Sequence, residues 1–155
     1  LGTVSSRIER ASAFNAFVDA HSPQVSGRCM ESTAHDAAAL MDALRALRER
    51  ADARGPLPAV ITSNAVVTLR VVAAIAQLGW QLGRDIGLVG IDDTEWAPYV
   101  GPGITTVAQP TGELGRMAAR CLMQRLGGST VAARKLLLPG TLAPRGSTSP
   151  ARGSR

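Results

Sequence analysis

Aromatic side chains are scarce: the 155 residues hold two Phe, two Trp and one Tyr. A core must therefore be built from Ala, Val, Leu and Ile, and a stacking platform for single-stranded nucleic acid has almost nothing to work with. Cysteine is equally sparse. Cys29 and Cys121 stand far apart, which excludes a CxxC redox motif or a zinc knuckle and gives no disulfide framework. No apolar run approaches the roughly 18 residues of a membrane span, and no basic-then-apolar leader opens the chain. Leu1-Gly2-Thr3 lacks an initiator Met and reads as the continuation of something longer. There is no GxGxxG opening a helix, no phosphate-cradling loop, no GxSxG elbow and no HExxH. His21 and His35 fall in unrelated loops without ligand spacing, so neither a metal site nor a catalytic histidine is expected. The net charge of +5 is spread along the chain, and without a basic stripe this stretch is not expected to bind nucleic acid directly.

What is present is organised around Ile86-Gly87-Leu88-Val89-Gly90-Ile91-Asp92-Asp93, a continuous apolar run that stops at two adjacent carboxylates. A strand covered on both faces gives up polar alternation, and ligands of open parallel sheets gather where such strands end. Asp92 is therefore a candidate for a site; the alternative is that both acids only open a turn.

Upstream, Ser5 and Ser6 precede a helix patterned on Ile8, Ala11, Phe14, Phe17 and Val18. A short strand is expected around Val25 to Met30. Ser32 or Thr33 then caps a second helix, with Ala37, Leu40, Met41, Leu44 and Leu47 on one face. After the Gly55-Pro56-Leu57-Pro58 break, Ala59 to Thr62 reads as a buried strand. Asn64 is a natural N-cap for a third helix that stops at Gly79. Beyond Asp93, a loop to Gly103 leads to an edge or crossing strand, Ile104 to Val107. Pro110 sets up a helix with a narrow stripe of Leu114, Met117, Ala118, Cys121 and Leu122, in which Cys121 reads as a small core residue. Lys135 to Leu138 is a final short strand, and from Arg145 the composition reads as a loose tail. Alternating helices and strands with short connections give an α/β fold, a parallel sheet flanked by helices.

Arg10, Asn64 and Asp92 share one topological address, at or near the ends of strands and the starts of helices along a single rim. A guanidinium, a carboxamide and a carboxylate supply the donors and acceptors that orient a polyhydroxylated ligand. The alternative reading is a solvated Arg, a helix cap and a turn residue. Asp92 and Asp93 do not form an acid and base pair, because successive strand residues point to opposite faces.

The stretch Gly90 to Ala97, followed by Pro102-Gly103-Ile104-Thr105-Thr106-Val107-Ala108-Gln109-Pro110 and Glu113-Leu114-Gly115, resembles the LacI/GalR-type bacterial transcriptional regulators. The likeness continues through Ala118, Ala119, Leu122 and Leu126 and closes with Leu138-Pro139, Leu142, Arg145, Ser147 and Thr148. Upstream, Glu9-Arg10-Ala11 with Phe14 is similar to the family's ER-x-x-G-F, and Pro58-Ala59 leading to Asn64 to its strand-then-Asn signature. The resemblance implies that residues 1–148 are the carboxy-terminal portion of an effector-binding domain with the periplasmic-binding-protein-like (type I) fold, incomplete as a two-lobed unit. Residues 1–108 would belong mainly to the second lobe, 109–127 to a helix crossing into the first, and 128–148 to the return, with 149–155 a loose tail. On its own, such a crossing helix would leave its apolar stripe exposed or hidden in another chain.

By the same resemblance Arg10, Asn64 and Asp92 fall on effector-binding positions and Gln109 on the crossing strand near the cleft. The third helix and the loop from Glu95 to Val100 resemble a dimer surface, with Trp96, Tyr99 and Val100 as contacts. The implied protein is a cytoplasmic homodimeric regulator, not an enzyme, that senses a sugar or related small metabolite. It would need no metal or cofactor and no membrane. DNA contact would come only through an amino-terminal helix-turn-helix domain that is not among these residues. Ala13, Ala65, Arg70 and Gly83 depart from the family pattern: Gly, an acid, a small residue and Pro are usual there. Two other readings compete: a solute-binding protein of a sugar transporter, with the same lobes, and an enzyme on a doubly wound sheet, which would need a cofactor loop that the sequence lacks.

Overall fold

The computed structural model describes residues 5–31, 36–51 and 55–149. Helices α1 (Ser5–Ala20) and α2 (Ala37–Arg50) precede strand β1 (Ala59–Ile61), helix α3 (Ala65–Gln77) and strand β2 (Gly87–Ile91). A one-turn helix at Ala97–Tyr99 leads to β3 (Thr105–Ala108), α4 (Thr111–Leu126), β4 (Thr141–Ala143) and a second single turn at Gly146–Thr148. The four-stranded sheet runs β1-β2-β3-β4. Its first three strands are parallel, with Ile61 opposite Val89 and Ile91 opposite Val107, and β4 returns antiparallel, with Leu142 opposite Val107.

The core lies on one face of the sheet. Leu44 of α2 and Val71, Ala74 and Ile75 of α3 meet Ile86, Leu88, Ala97 and Ile104, all buried. The apolar positions of α3 recur at the helical three- and four-residue spacing, which puts them on one stripe. On the opposite face Ile61 and Leu142 are more than half exposed.

Five local expectations are corrected. Val25 to Met30 forms no strand; it lies along α1, where the Val25 amide donates to the His21 carbonyl and a Cβ on Gly27 would press on the Phe14 ring. Of the two places expected for Ile104 to Val107, edge or crossing strand, the edge is excluded: β3 has β2 on one side and β4 on the other. The Leu-rich run Lys135 to Leu138 is irregular. Pairing begins only after Gly140, where the chain comes so close to the Ala108 carbonyl that a Cβ would lie 3.1 Å from it. Cys121 is half-buried, not a core residue, and lines a shallow depression of about 200 Å³ with Gln124, Ser129 and Val131. Helix α2 is capped by Asp36, whose carboxylate accepts from the Ala39 amide at 2.9 Å; the expected caps Ser32 and Thr33, and His35, lie outside the described residues.

Arg145 to Ser149 is no loose tail; residues 150–155 lie outside the described residues. Ser147 is fully buried; its hydroxyl donates to the Leu88 carbonyl at 2.6 Å and accepts from the Thr105 amide at 2.8 Å. One side chain thus fastens this segment to two strands. Ser147→Ala is expected to orphan both backbone groups and cost about 1–3 kcal/mol, read as a lower urea midpoint at unchanged slope.

Helix α4 stands apart: none of its residues is buried, and Leu122 and Leu126 are 59% and 73% exposed. Among the described residues no helix is long and apolar enough to cross a membrane.

Candidate functional site

Because β1, β2 and β3 run parallel, their carboxyl ends open on one edge of the sheet. Asn64 follows β1, Asp92 follows β2 directly and Gln109 follows β3 directly. Arg10, on α1, donates to the carbonyl of Ser63 beside Asn64. The four candidate residues therefore line one rim. They form two local pairs, Arg10 with the Ser63–Asn64 turn and Asp92 with Gln109.

Asn64 carries out the capping role expected of it. Its side-chain oxygen accepts from the Val67 amide at 2.9 Å, which satisfies one of the orphan donors of α3. The cap uses the oxygen, so the side-chain NH2 is left as a donor. Beneath it, Thr68 donates to the Asn64 carbonyl at 2.9 Å and lies 2.6 Å from the Thr62 hydroxyl. This buried hydroxyl pair ties the helix start to β1, so the cap and the guanidinium above it share a rigid base.

Asp92 has φ +80°, the only positive φ of a non-glycine residue among those described. Asp tolerates this left-handed region better than most side chains, yet it costs about 1 kcal/mol or more, and such outliers gather at functional sites. The Asp92 amide donates to the Val107 carbonyl at 3.0 Å, and its carboxylate accepts from the Gln109 side-chain amide.

Asp93 does something different. Arg145 grips both of its oxygens, at 2.8 and 3.1 Å, and Thr106 donates to one at 2.7 Å. The two carboxylates thus take separate partners, Asp92 the Gln109 amide and Asp93 the Arg145 guanidinium with the Thr106 hydroxyl. The hydrogen bonds from Arg145 and then Thr106 hold the Asp93 carboxyl below the usual carboxylate range, against the opposing effect of burial. A carboxyl with a lowered folded-state pKa adds stability above its unfolded value near 3.8, and this contribution is lost as pH falls through the folded value.

Arg145 and Thr106 were not among the candidates. The sequence signal for Arg145 was its place in the family-like ending, masked by the Gly, Ser and Pro around it. Of the residues expected at a dimer surface, Trp96 and Val100 are partly buried against the core and Tyr99 is 85% exposed. No cluster of three or more metal-ligating side chains occurs among the described residues. The wider groove, about 430 Å³ between α3 and the loop after Tyr99, is lined by Val72, Ile75, Trp80, Leu82 and Val100 and lies away from the rim.

Residues 2–148 match the periplasmic binding protein-like domain. The chain is 40% identical over 151 residues to the HTH-type transcriptional regulator PtxS of Pseudomonas aeruginosa, covering 97% of this chain and 42% of the relative. It is 30% identical over 128 residues to the HTH-type transcriptional regulator KdgR of Bacillus subtilis, covering 83% and 37%. Among solved structures, the Lac repressor dimer bound to operator and the anti-inducer ONPF superposes with a TM-score of 0.71 at 27% identity, covering 93% of this chain and 42% of that one. The chain thus spans less than half the length of these relatives.

Proposed function

The chain belongs to the periplasmic binding protein-like family, in the form carried by LacI-type regulators, and from that premise we propose that it is the effector-sensing part of a DNA-binding transcriptional regulator. Its ligand is a sugar or related small metabolite held at the rim by Arg10, Asn64, Asp92 and Gln109. The observation that carries this reading is the meeting of three parallel strand ends at one rim, with Asp92 held in a disfavoured backbone conformation there. Such conformations persist where the surroundings over-determine them, and crevices at strand ends are where open α/β sheets bind ligands.

Each side chain then has a chemical task. Asp92 accepts from ligand hydroxyls in place of the Gln109 amide, Arg10 donates to a hydroxyl, ring oxygen or acid group, and Asn64 offers the amide that its cap leaves over. Residues 1–108 supply mainly one lobe of the cleft, and α4 leads toward the other. A solved relative with 32% identity is a CelR–cellobiose complex, which supports a carbohydrate ligand. The names of the curated relatives favour a regulator over a transporter's solute-binding protein. Coupling to DNA requires that the ligand bind one lobe arrangement better than the other.

A second copy of the chain is the proposed partner. Val66 and Leu69 on α3 are 58% and 48% exposed, and Tyr99 is more exposed still. Isologous pairing through this face would remove that apolar surface from water. Arg70, half-buried on the same helix, must find room and an acceptor in such an interface.

The test uses the polypeptide as its native gene produces it, titrated calorimetrically with a panel of neutral monosaccharides, disaccharides and sugar acids. Asp92→Ala is expected to weaken the bound member by about 2–4 kcal/mol, since it leaves buried ligand hydroxyls without their acceptor. Unchanged affinity in that variant would remove Asp92 from the site.

A further inference from the structure

We infer that Arg145 is a positioning residue for ligand capture: by clasping Asp93 it holds the turn that presents Asp92 to the rim. This inference rests on the reading of Asp92 as a ligand residue, and goes beyond it by naming what keeps that residue in place.

A Cβ-bearing residue at φ +80° does not hold its conformation unaided. On its amino side Asp92 is secured by the ladder, through Ile91 opposite Val107 and its own amide on the Val107 carbonyl. On its carboxyl side the next residue is Asp93, and the only charged group that grips Asp93 among the described residues is Arg145. If that grip is lost, the chain after Asp92 is free to relax toward negative φ, and the Asp92 carboxylate turns away from Gln109.

Arg145 suits the task because it has little freedom of its own. Its amide donates to the Thr105 hydroxyl at 2.8 Å, and that hydroxyl is 3.0 Å from the Arg145 carbonyl. Its guanidinium also donates to the Ile104 carbonyl at 2.8 Å and to the Thr106 hydroxyl at 3.0 Å. Gly103 lies so close to the stem that a Cβ there would sit 3.1 Å from the Arg145 Cδ. With its donors turned to Asp93, Thr106 and a backbone carbonyl, Arg145 does not act as a ligand residue; it acts through Asp93. The pair also neutralises one of two adjacent carboxylates. Asp92 is then the one acid at this strand end left to accept from a ligand, with no second negative charge competing for the same donors.

The experiment reads Asp92 and Gln109 directly in the native-gene polypeptide without ligand, by NMR of the Asp92 backbone amide and the Gln109 side-chain amide. Arg145→Met is expected to speed hydrogen exchange at the Asp92 amide at least about tenfold and to shift the Gln109 side-chain signals toward those of a free carboxamide. Asp93→Asn should do the same, and Arg145→Lys should restore part of the wild-type pattern because it keeps a charge on Asp93. Ser147→Ala serves as the control, since it loosens the same terminal segment without touching Asp93. Wild-type signals in both Arg145→Met and Asp93→Asn would overturn the inference, and so would equal changes in Ser147→Ala. If the signals move as expected but no sugar or sugar acid binds in an Asp92-dependent way, the positioning link stands and the effector-site reading fails.

Discussion

Gly83→Ala is expected to destabilise the fold by about 3 kcal/mol or more, among the largest effects of any single methyl group added to this chain. Gly83 has φ +77°, and a Cβ there would lie 2.4 Å from the Gly146 carbonyl oxygen and 3.2 Å from that of Ser149. Both obstacles are backbone, so no side chain can swing aside. The residue is further held by its amide, which donates to the Ile86 carbonyl at 2.9 Å beside the bridge between Leu82 and Ile86. Relieving the clash would push away the segment that carries Ser147 and Arg145, so the damage would spread to the Leu88 and Asp93 contacts. Proline, usual at this place in the LacI-type pattern, requires φ near −65° and has no N–H to give. The local backbone here has the opposite sign of φ and uses that N–H, so Gly83→Pro should cost more than Gly83→Ala. Urea denaturation of the three proteins, compared at equal slope, checks the order. A shift of less than about 0.5 kcal/mol for Gly83→Ala would mean that the Gly146 carbonyl moves freely.

The elements that were legible in the sequence are those whose signal is local. Residues 86–91 combine an uninterrupted apolar run with an abrupt acid end, the pattern of a strand buried between neighbours. Helix α3 shows its cap, its period and its glycine stop within sixteen positions, Asn64 to Gly79. Where the deciding contact is remote, the local signal misleads. Lys135 to Leu138 has the composition of a strand, but pairing with β3 depends on where the backbone can approach Ala108, and that is set by Gly140. Val25 to Met30 is likewise decided by the Phe14 side chain on another element. The site divides the same way. Asn64 and Asp92 are readable as a cap and as a strand end, whereas Gln109 rests on the resemblance alone. Arg145 lies 52 residues from the carboxylate it holds, in a context of Gly and Ser that normally signals looseness. Its order comes from hydrogen bonds to Thr105, Thr106 and Asp93, none of which a neighbouring residue announces.

Leu88→Ala is expected to cost about 2–5 kcal/mol, the range for truncating a fully buried leucine. Leu88 has no exposed surface, is the second residue of β2 opposite Val60 of β1, and faces the stripe of α3 through the cluster that includes Val71 and Ile75. The cavity can close only by moving α3 toward the sheet. That motion is opposed by the Thr62–Thr68 hydroxyl pair and by the Asn64 cap, which hold the start of α3 in place. Little relaxation means that the upper half of the range applies. Leu122→Ala is the informative comparison, because Leu122 on α4 is 59% exposed and makes no comparable contacts. In the 155-residue chain its loss should fall within about 0.5 kcal/mol. In the polypeptide made by the native gene, a cost near 2 kcal/mol for the same change would show that α4 is covered by another part of the protein, as the two-lobed reading requires. An equally small effect there would leave α4 a solvent-exposed helix and deny it a role in joining two lobes.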